Sequence, residues 1–367
     1  MKKKRHSPDF IIFFAAVTLL AIGVIMVFSA SSATAAGTRG DAYYYLKRQA
    51  MWAGLGTIAM VIFMKIDYRF WRRVGKPLLF LTLILLLAVL IPSVGREGLG
   101  ARRWLNFGPV NVQPSEIAKL SLVIYLAGYL SQKGEDIRKF WDGLFPALVL
   151  MGGTFLLILR QPDLGTAVAL AGTMGLMLFT AGAKIGHLLG LGLASVPVVV
   201  YAILSEEYRA RRFFAFLNPE ADPLDSGYHI IQSLYALGSG GPVGLGLGRS
   251  RQKWYYLPER HTDFIYAIIG EELGFIGAVL VLLLFLLFTW RGYRVAINAP
   301  DSFGSLLAVG ITSMIGLQAL INIGVVTGSL PITGIPLPLI SYGGSSLLPS
   351  LAAIGILLNI SSHCRTS

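Results

Sequence analysis

The stretch KWYYLPERHTDFIYAIIGEELG, residues 253–274, changes character in its middle. Its first half carries titratable side chains, and its second half leads into a strongly apolar segment at residues 275–289. This pattern places the carboxylate of Asp263 close to the point where a membrane helix begins. There it could meet a substrate whose tail lies in lipid and whose head lies in water. Because a charge at such a boundary is costly, Asp263 is a candidate functional residue.

The composition of the chain is that of a polytopic membrane protein. Of its 367 residues, 54% are hydrophobic and only 14% are charged, and the mean hydropathy is +0.66. Soluble domains carry about 25% charged residues. The net charge of +12 comes from Lys and Arg in short clusters between apolar runs. Such clusters are typical of membrane topology, so the sequence predicts a membrane-lipid environment and no nucleic-acid partner.

Ten apolar segments reach the length of roughly 17–25 residues that a membrane helix needs. They lie at about 9–29, 49–65, 77–93, 114–131, 143–159, 164–182, 186–204, 264–290, 303–326 and 343–361. The first follows a basic N-terminus as a signal peptide would, but it is long enough to span and is predicted to be retained. We therefore expect an all-α polytopic membrane protein with about ten transmembrane helices and a single domain, 1–367.

The basic residues predict the orientation. Loops on the side of the N-terminus are short and basic, with clusters at 2–5, 65–76 and 133–139 and a final Arg365. By the positive-inside rule both termini are predicted to be cytoplasmic. All Pro- and Gly-rich loops then lie on the outer side, the largest at about 205–263, before the eighth helix. Any chemistry is expected at that outer face.

Asp263 has two interpretations from residue type alone. Thr262 and Asp263 are both favourable N-cap residues, and a helix N-terminus favours negative charge, so Asp263 could simply cap the eighth helix. Alternatively, its carboxylate could act as a general base, and its neighbours Glu259, Arg260 and His261 could tune its pKa or bind an anion. The spacing of these residues does not separate the two roles.

The fourth predicted helix opens with QPSEIAKL, in which Glu116 and Lys119 share one helix face. They could form a structural pair that locks two helices, or the polar wall of a substrate cavity. The preceding GARRWLNF places Arg102 and Arg103 beside Trp104. These groups suit a diphosphate at the headgroup level, and plain topology anchors would have the same pattern.

Three further segments carry polar or irregular patterns. In RQPDLG, Asp163 could cap the sixth helix or line the same cavity. The Gly-rich stretch that ends at Gln252 and Lys253 could cradle an anion through its N–H groups and cations, or be a flexible surface loop. The prolines and glycines of GSLPITGIPLPLISYGGSS prevent an ordinary helix. That segment is predicted to pack against the cavity as a re-entrant or outer loop.

Four segments in order resemble the SEDS family of bacterial membrane proteins, which act in shape, elongation, division and sporulation. They are ARRWLNFGPVNVQPSEIAKL, LILRQPDLGTA, LPERHTDFIYAIIGEELG and TGIPLPLISYGGSS. The similarity extends over roughly the whole chain. VFSASS near Phe28 and the GEELG ending look more like the division and sporulation branch, FtsW and SpoVE, than the elongation branch, RodA.

The resemblance implies a peptidoglycan glycosyltransferase that polymerises lipid II at the outer face of the bacterial cytoplasmic membrane. A growing glycan on undecaprenyl diphosphate would be the donor, and Asp263 would be the catalytic residue. The substrate-binding positions that we assign under this resemblance are Glu116, Lys119, Arg103, Asp163, Lys253, Gln252, His261 and Thr262. A divalent cation, Mg²⁺ or Mn²⁺, is the candidate cofactor, and no organic cofactor is expected.

The expected partner is a class B penicillin-binding protein, a single-span transpeptidase. Two rival functions remain at this stage: a lipid II flippase, and a scaffold that recruits the transpeptidase. A proton-coupled transporter would explain the spans but not the charged outer loops. The sequence leaves open which metal takes part and whether the role is in division, sporulation or elongation. It also leaves open which ligand site is donor and which is acceptor.

Overall fold

The computed structural model describes residues 6–98, 101–108, 110–254 and 256–364, and these residues form a helical bundle. The helices are α1 (Phe10–Arg39), α2 (Tyr44–Lys65), α3 (Arg69–Leu90), α4 (Pro114–Lys133), α5 (Phe145–Leu159), α6 (Leu164–Thr180), α7 (Ile185–Leu204), α8 (Glu207–Leu217), α9 (Tyr228–Ser239), α10 (Ile265–Ile297), α11 (Ser302–Val326) and α12 (Gly344–Ser361).

A helix lies at each of the ten positions at which the hydrophobic pattern predicts a span. Within the described residues, seven helices are long and apolar enough to cross a membrane, and α6 is apolar but shorter. The prediction of a multi-span helical fold is therefore confirmed in its coarse form. Helices α11 and α12 are mostly buried and form the centre of the bundle, whereas α7 is almost wholly exposed.

The segments between the predicted spans are more ordered than the sequence suggested. Residues in the loop before α4 form a three-stranded antiparallel sheet of β1 (Gly95–Gly98), β2 (Ala101–Phe107) and β3 (Val110–Val112). The loop predicted at about 205–263 contains α8 and α9. This small sheet is an addition to the all-α fold that the sequence predicts. Its strands are only three to seven residues long, which is too short for the alternation of side chains to identify them clearly.

Helix α10 is broken at Gly274, where φ is 68° and ψ is −169°. The break leaves backbone groups without hydrogen-bond partners in the helix, and the Gly-rich segment at 240–248 bonds to them. For example, the N–H of Phe275 donates to the carbonyl of Gly241 at 2.8 Å. A Cβ at position 274 would lie 2.2 Å from the backbone nitrogen of Gly244. Glycine is therefore required both by the left-handed φ and by the close approach of the second backbone.

The two chain ends meet at one end of the bundle. The N–H of Asp9 donates to the hydroxyl of Ser361 at 2.9 Å, and the Asp9 carboxylate binds the guanidinium of Arg291 at 2.5 Å. Arg291 lies near the C-terminal end of α10, and Asp263 precedes its N-terminal end. Asp263 is therefore at the opposite end of the bundle from both termini. The predicted basic groups at 2–5 and Arg365 lie outside the described residues.

Candidate active site

A cavity of about 650 Å³ lies at the end of the bundle that carries Asp263. Its charged lining comes from four parts of the chain: Arg103 of β2, Glu116 of α4, Arg212 of α8, and Glu259 with Asp263 before α10. Apolar and backbone groups of the segment between α11 and α12 complete the wall. Residues far apart in sequence thus surround the Asp263 carboxylate, and two arginines and two other carboxylates line the same cavity.

Asp263 does not cap α10. The N-cap residue is Phe264, and no side chain caps this helix. Among the described residues, no hydrogen bond to the Asp263 carboxylate is found, so that group remains available to a ligand in the cavity. Gly334, at φ +69°, lies against it: a Cβ there would be 3.5 Å from Asp263 Oδ2. The capping interpretation is therefore wrong. A carboxylate that lines the cavity is compatible with the general-base interpretation.

Burial raises the pKa of Asp263 to about 7, and the negative charge of Glu259 acts in the same direction. The positive charges of Arg212 and Arg103 oppose this rise. A carboxylate with a pKa near neutrality can take a proton and later release it at physiological pH. The fold thus gives Asp263 the acid–base property that a general base needs.

The backbone around Asp263 is fixed by the Pro-rich segment and by α11. The side-chain amide of Asn322 donates to the carbonyls of Asp263 and Ile335, each at 2.7 Å. The hydroxyl of Ser341 donates to the carbonyl of Thr262 at 2.6 Å. The predicted packing of the Pro-rich segment against the cavity is therefore observed, and its role is to hold the loop that carries Asp263.

Thr262 and His261 have different surroundings. Thr262 lines the cavity, and its hydroxyl donates to the Glu259 carboxylate at 2.6 Å. The His261 ring packs against the rings of Tyr45 and Tyr342, with centroids 4.6 and 5.7 Å away. Burial lowers the pKa of His261, which favours the neutral imidazole. The structure thus places Thr262 at the cavity surface and His261 in an aromatic cluster beside it.

Glu116 and Lys119 form the pair that their spacing suggested, with Lys119 Nζ 2.9 Å from Glu116 Oε1 and both side chains almost fully buried. Lys119 also donates to Gln318 of α11 at 2.6 Å, and the Gln318 amide donates to the Pro336 carbonyl at 2.9 Å. Glu116 lines the cavity, whereas Lys119 lies behind it. Both interpretations hold in part: the pair locks α4 to α11, and its carboxylate forms cavity wall.

Arg103 and Asp163 organise the turn between α5 and α6. Arg103 lines the cavity while its guanidinium donates to the carbonyls of Gln161, at 3.0 Å, and Pro162. Asp163 caps α6 by accepting a hydrogen bond from the N–H of Thr166 at 3.2 Å. Of its two interpretations, capping is the one observed, although its charge still contributes to raising the pKa of Asp263.

Lys253 and Gln252 are not brought to the wall of this cavity. The ammonium of Lys253 is buried against the carboxylate of Glu272, 3.4 Å away, and donates to the carbonyl of Gly248. The backbone N–H groups of Arg251 and Gln252 point to Glu271. The Gly-rich loop does cradle an anion, as one interpretation held, but the anion is a carboxylate of the same chain.

Arg212 is a cavity residue that the sequence analysis missed, together with Tyr208 one helical turn earlier. Both lie on α8, in EYRARRFFAFL, within the segment at about 205–263 that the hydrophobic pattern predicts to be a loop. The spacing of the arginines and the aromatic residues in this segment is that of an amphipathic helix, and this signal could have identified α8. Only the fold shows that Arg212 faces Asp263.

The cavity offers partial ligation for a divalent cation. In the part of the chain that the structure describes, no group of three or more His, Cys, Asp or Glu side chains is arranged to hold a metal. Mg²⁺, however, commonly binds one or two carboxylates together with substrate phosphates. Of the carboxylates that line the cavity, Glu259 could hold such an ion, which would then depend on a phosphorylated ligand for its remaining ligands.

A family model of cell cycle proteins, that of FtsW, RodA and SpoVE, matches residues 10–366. The chain belongs to this family. It is 50% identical over 365 residues to stage V sporulation protein E of Bacillus subtilis, with 100% of both chains covered. It is 46% identical over 363 residues to a probable peptidoglycan glycosyltransferase FtsW of Geobacter metallireducens, covering 99% of this chain and 97% of the relative.

Solved structures show the same fold. One chain of a peptidoglycan synthase complex, studied for the structural coordination of polymerization and crosslinking, matches with a TM-score of 0.80 and 32% identity, over 96% of this chain and 97% of that one. The rod shape determining protein RodA of Thermus thermophilus matches with a TM-score of 0.73 and 30% identity, over 98% of each chain. The resemblance to the SEDS family is thereby confirmed.

Proposed function

We propose that this protein is a peptidoglycan glycosyltransferase that polymerises lipid II during cell division or sporulation. Its similarity over full length to proteins named FtsW and stage V sporulation protein E supports this function. The observation that carries it is the Asp263 carboxylate, whose pKa burial raises to about 7, in a cavity that two arginines also line. An enzyme that joins sugars and releases a diphosphate needs a base and an anion site side by side.

The proposed orientation has ten spans, both termini in the cytoplasm and the cavity at the outer face of the cytoplasmic membrane. The chain ends lie together at the end of the bundle opposite to Asp263, which agrees with this arrangement. The loops at the same end of the bundle as the termini are basic, and basic loops favour the cytoplasmic side of the membrane. Asp263 would then face the compartment in which the cell wall is assembled.

In the proposed reaction, the 4-hydroxyl of the GlcNAc of one lipid II attacks the anomeric carbon of the glycan that is bound to undecaprenyl diphosphate. Asp263 accepts the hydroxyl proton as the new C–O bond forms. The bond from the anomeric carbon to the diphosphate oxygen breaks, and the diphosphate leaves with the electron pair. Arg212 and Arg103 stabilise the negative charge that develops on the leaving group. Glu116 and Thr262 offer hydrogen-bonding groups to the sugars.

A divalent cation held at Glu259, with the diphosphate supplying further ligands, would neutralise part of the diphosphate charge. The chain's own groups have separate tasks, since Arg103 and Arg212 bind the anion and Asp263 moves the proton. Lys253, which is paired with Glu272, supports the fold in this proposal rather than the substrate.

The proposed partner is a class B penicillin-binding protein that cross-links the strands made here. The support is the TM-score of 0.80 to a chain of a peptidoglycan synthase complex that coordinates polymerization and crosslinking. A transpeptidase beside the cavity would receive each new strand as it forms.

The test is polymerisation of labelled lipid II in detergent by the purified protein with its cognate class B penicillin-binding protein and Mg²⁺ or Mn²⁺. Asp263→Ala and Asp263→Asn are compared with Asp142→Asn, a control at an exposed carboxylate. We expect polymer from the wild type and the control and none from the Asp263 variants at equal folding. Polymer from all proteins would remove Asp263 from its role.

The flippase and the scaffold make different predictions in the same experiment. Each predicts no polymer from the wild type, and translocation of lipid II in vesicles then separates them. A flippase would move lipid II through the membrane with Asp263→Ala as well as with the wild type, because it needs no general base. The cavity with its unbonded carboxylate favours the enzyme over both.

A further inference from the structure

A second polar cavity, of about 390 Å³, opens at the end of the bundle opposite to Asp263. It lies where α3 and α11 begin, beside the end of α4. Its polar lining consists of Arg69, Arg72, Arg73, Ser131, Asp301 and Ser302. None of these residues takes part in the proposed glycosyl transfer, so the cavity needs an explanation of its own.

Asp301, the single carboxylate among the lining residues of this cavity, already has hydrogen-bond partners on both of its oxygens. Asp301 Oδ2 accepts hydrogen bonds from the Tyr68 hydroxyl at 2.5 Å and from Arg69 at 3.1 Å. Its Oδ1 accepts the N–H of Gly304 at 2.8 Å and so caps α11. Arg69 and Asp301 therefore neutralise each other, and both oxygens of the carboxylate already have partners.

Arg72 and Arg73 contribute an uncompensated charge of two. Within the described ranges, neither forms a salt bridge, and both are exposed. A Cβ at Gly128 of α4 would lie 3.8 Å from Arg72 Cγ, so the aliphatic stem of Arg72 passes close to α4. The guanidinium fork matches the geometry of phosphate oxygens and can bind them through two parallel hydrogen bonds. The cavity is thus suited to a phosphate-bearing anion.

The surroundings favour a lipid as the source of that phosphate. An adjoining cavity of about 410 Å³ shares Ser131, Asp301 and Ser302 with the first. Its lining includes apolar side chains such as Leu130 and Leu306. A phosphodiester beside the arginines would therefore continue into apolar surroundings, as the glycerol and acyl parts of a phospholipid require.

We propose that this cavity binds the headgroup phosphate of an anionic phospholipid. Basic cavities between membrane helices at the cytoplasmic surface bind such headgroups. The bound lipid would join the start of α3 to the start of α11 through Arg72, Arg73 and the serine hydroxyls. This site is independent of the function proposed for the cavity around Asp263, because it uses the other end of the bundle.

The test uses the full-length protein in nanodiscs of phosphatidylethanolamine with phosphatidylglycerol or cardiolipin, and native mass spectrometry counts the lipids retained. Arg72→Ala/Arg73→Ala is compared with Lys76→Ala/Arg138→Ala, which removes the same charge from the same membrane face. We expect the first variant to lose about tenfold or more in anionic-lipid retention, since each basic group near an anionic lipid contributes severalfold. The control should retain the lipid like the wild type.

Two further measurements test the lipid site: lipid retention by a charge-conserving variant, and stabilisation by inorganic phosphate. If the alanine variant does not fold, Arg72→Lys/Arg73→Lys keeps the charge and removes the guanidinium forks, and its retention should fall between wild type and zero. In neutral detergent, inorganic phosphate should raise the melting temperature much less than phosphatidylglycerol does. Equal retention by the alanine variant and the control, or equal stabilisation by inorganic phosphate, would overturn the lipid site.

Discussion

The hydroxyl of Ser29 in α1 donates a 2.5 Å hydrogen bond to the carboxylate of Glu272 in α10, across 243 positions of sequence. The same carboxylate accepts the N–H groups of Gly248 at 3.0 Å and Ser250 at 3.1 Å and is paired with Lys253. The VFSASS and GEELG motifs thus belong to one structural unit. This unit closes the loop that leads from Lys253 to the segment that carries Asp263.

Ser29→Ala should lower the free energy of unfolding by about 1.5–3 kcal/mol, because it removes a hydrogen bond to a buried charged group. Ser31→Ala is the matched control, since the Ser31 hydroxyl bonds only to the carbonyl of Val27 in its own helix. Both variants are compared by chemical unfolding in detergent. An equal loss in the two variants would show that the contact with Glu272 adds no stability.

Lys119→Met should be strongly destabilising, by about 3–5 kcal/mol, because Glu116 is left as a buried charge without its partner. The double variant Glu116→Gln/Lys119→Met should recover much of this loss, since it removes both charges. Thermal unfolding of the wild type, Glu116→Gln, Lys119→Met and the double variant gives the coupling energy of the pair. A double variant less stable than Lys119→Met would contradict this account.

The rate of polymerisation should rise with pH through about 7, because a general base is active only in its deprotonated form and burial raises the pKa of Asp263 to that value. Glu259→Gln removes a negative charge that favours protonation of Asp263. Its pKa should therefore fall, and the acidic limb of the profile should move to lower pH. Thr262→Val, which keeps the charge of Glu259, serves as the control for the lost hydrogen bond.

That pH experiment has a clear opposite outcome. If the acidic limb of Glu259→Gln stays in place or moves to higher pH, Glu259 does not act on Asp263 through its charge. The profile of kcat/KM is the quantity to compare, because it reports the pKa values of the free enzyme.

Gly274→Ala should prevent stable folding, whereas Gly152→Ala should not. The φ of +68° at Gly274 is unfavourable for alanine, and the new Cβ would meet the backbone of Gly244 at 2.2 Å. Gly152 lies inside α5 with open space where a Cβ would be, and alanine is a better helix former by about 1 kcal/mol. The yield of monodisperse protein and the melting temperature measure both effects. A well-folded Gly274→Ala protein would show that α10 does not need the left-handed backbone conformation at position 274.

Much of the fold follows from the sequence because membrane helices are a local property. A run of apolar residues of spanning length must satisfy its backbone internally, so a helix is the available structure at each of the ten predicted positions. The side chains at the ends of these runs were also foreseeable: Asp263 before α10 and the pair of Glu116 and Lys119. Spacing within one helix is enough to place such residues on one face.

Other features depended on contacts between distant parts of the chain. Arg212 reaches the cavity only because α8 folds over the end of the bundle, and Lys253 is withdrawn from it because Glu272 binds its ammonium. Capping of α6 by Asp163 and the absence of a cap from Asp263 were equally open in sequence.

Local sequence pattern is enough to predict a helical membrane protein with a carboxylate at the start of α10. Hydrophobic length and the cost of a charge at a membrane boundary act within a single segment. The packing of the helices determines which cations face that carboxylate and which form salt bridges with buried carboxylates of the same chain. The reason is that the energy of a charged group depends on its burial and on its neighbours in space, and these are set only when the helices pack.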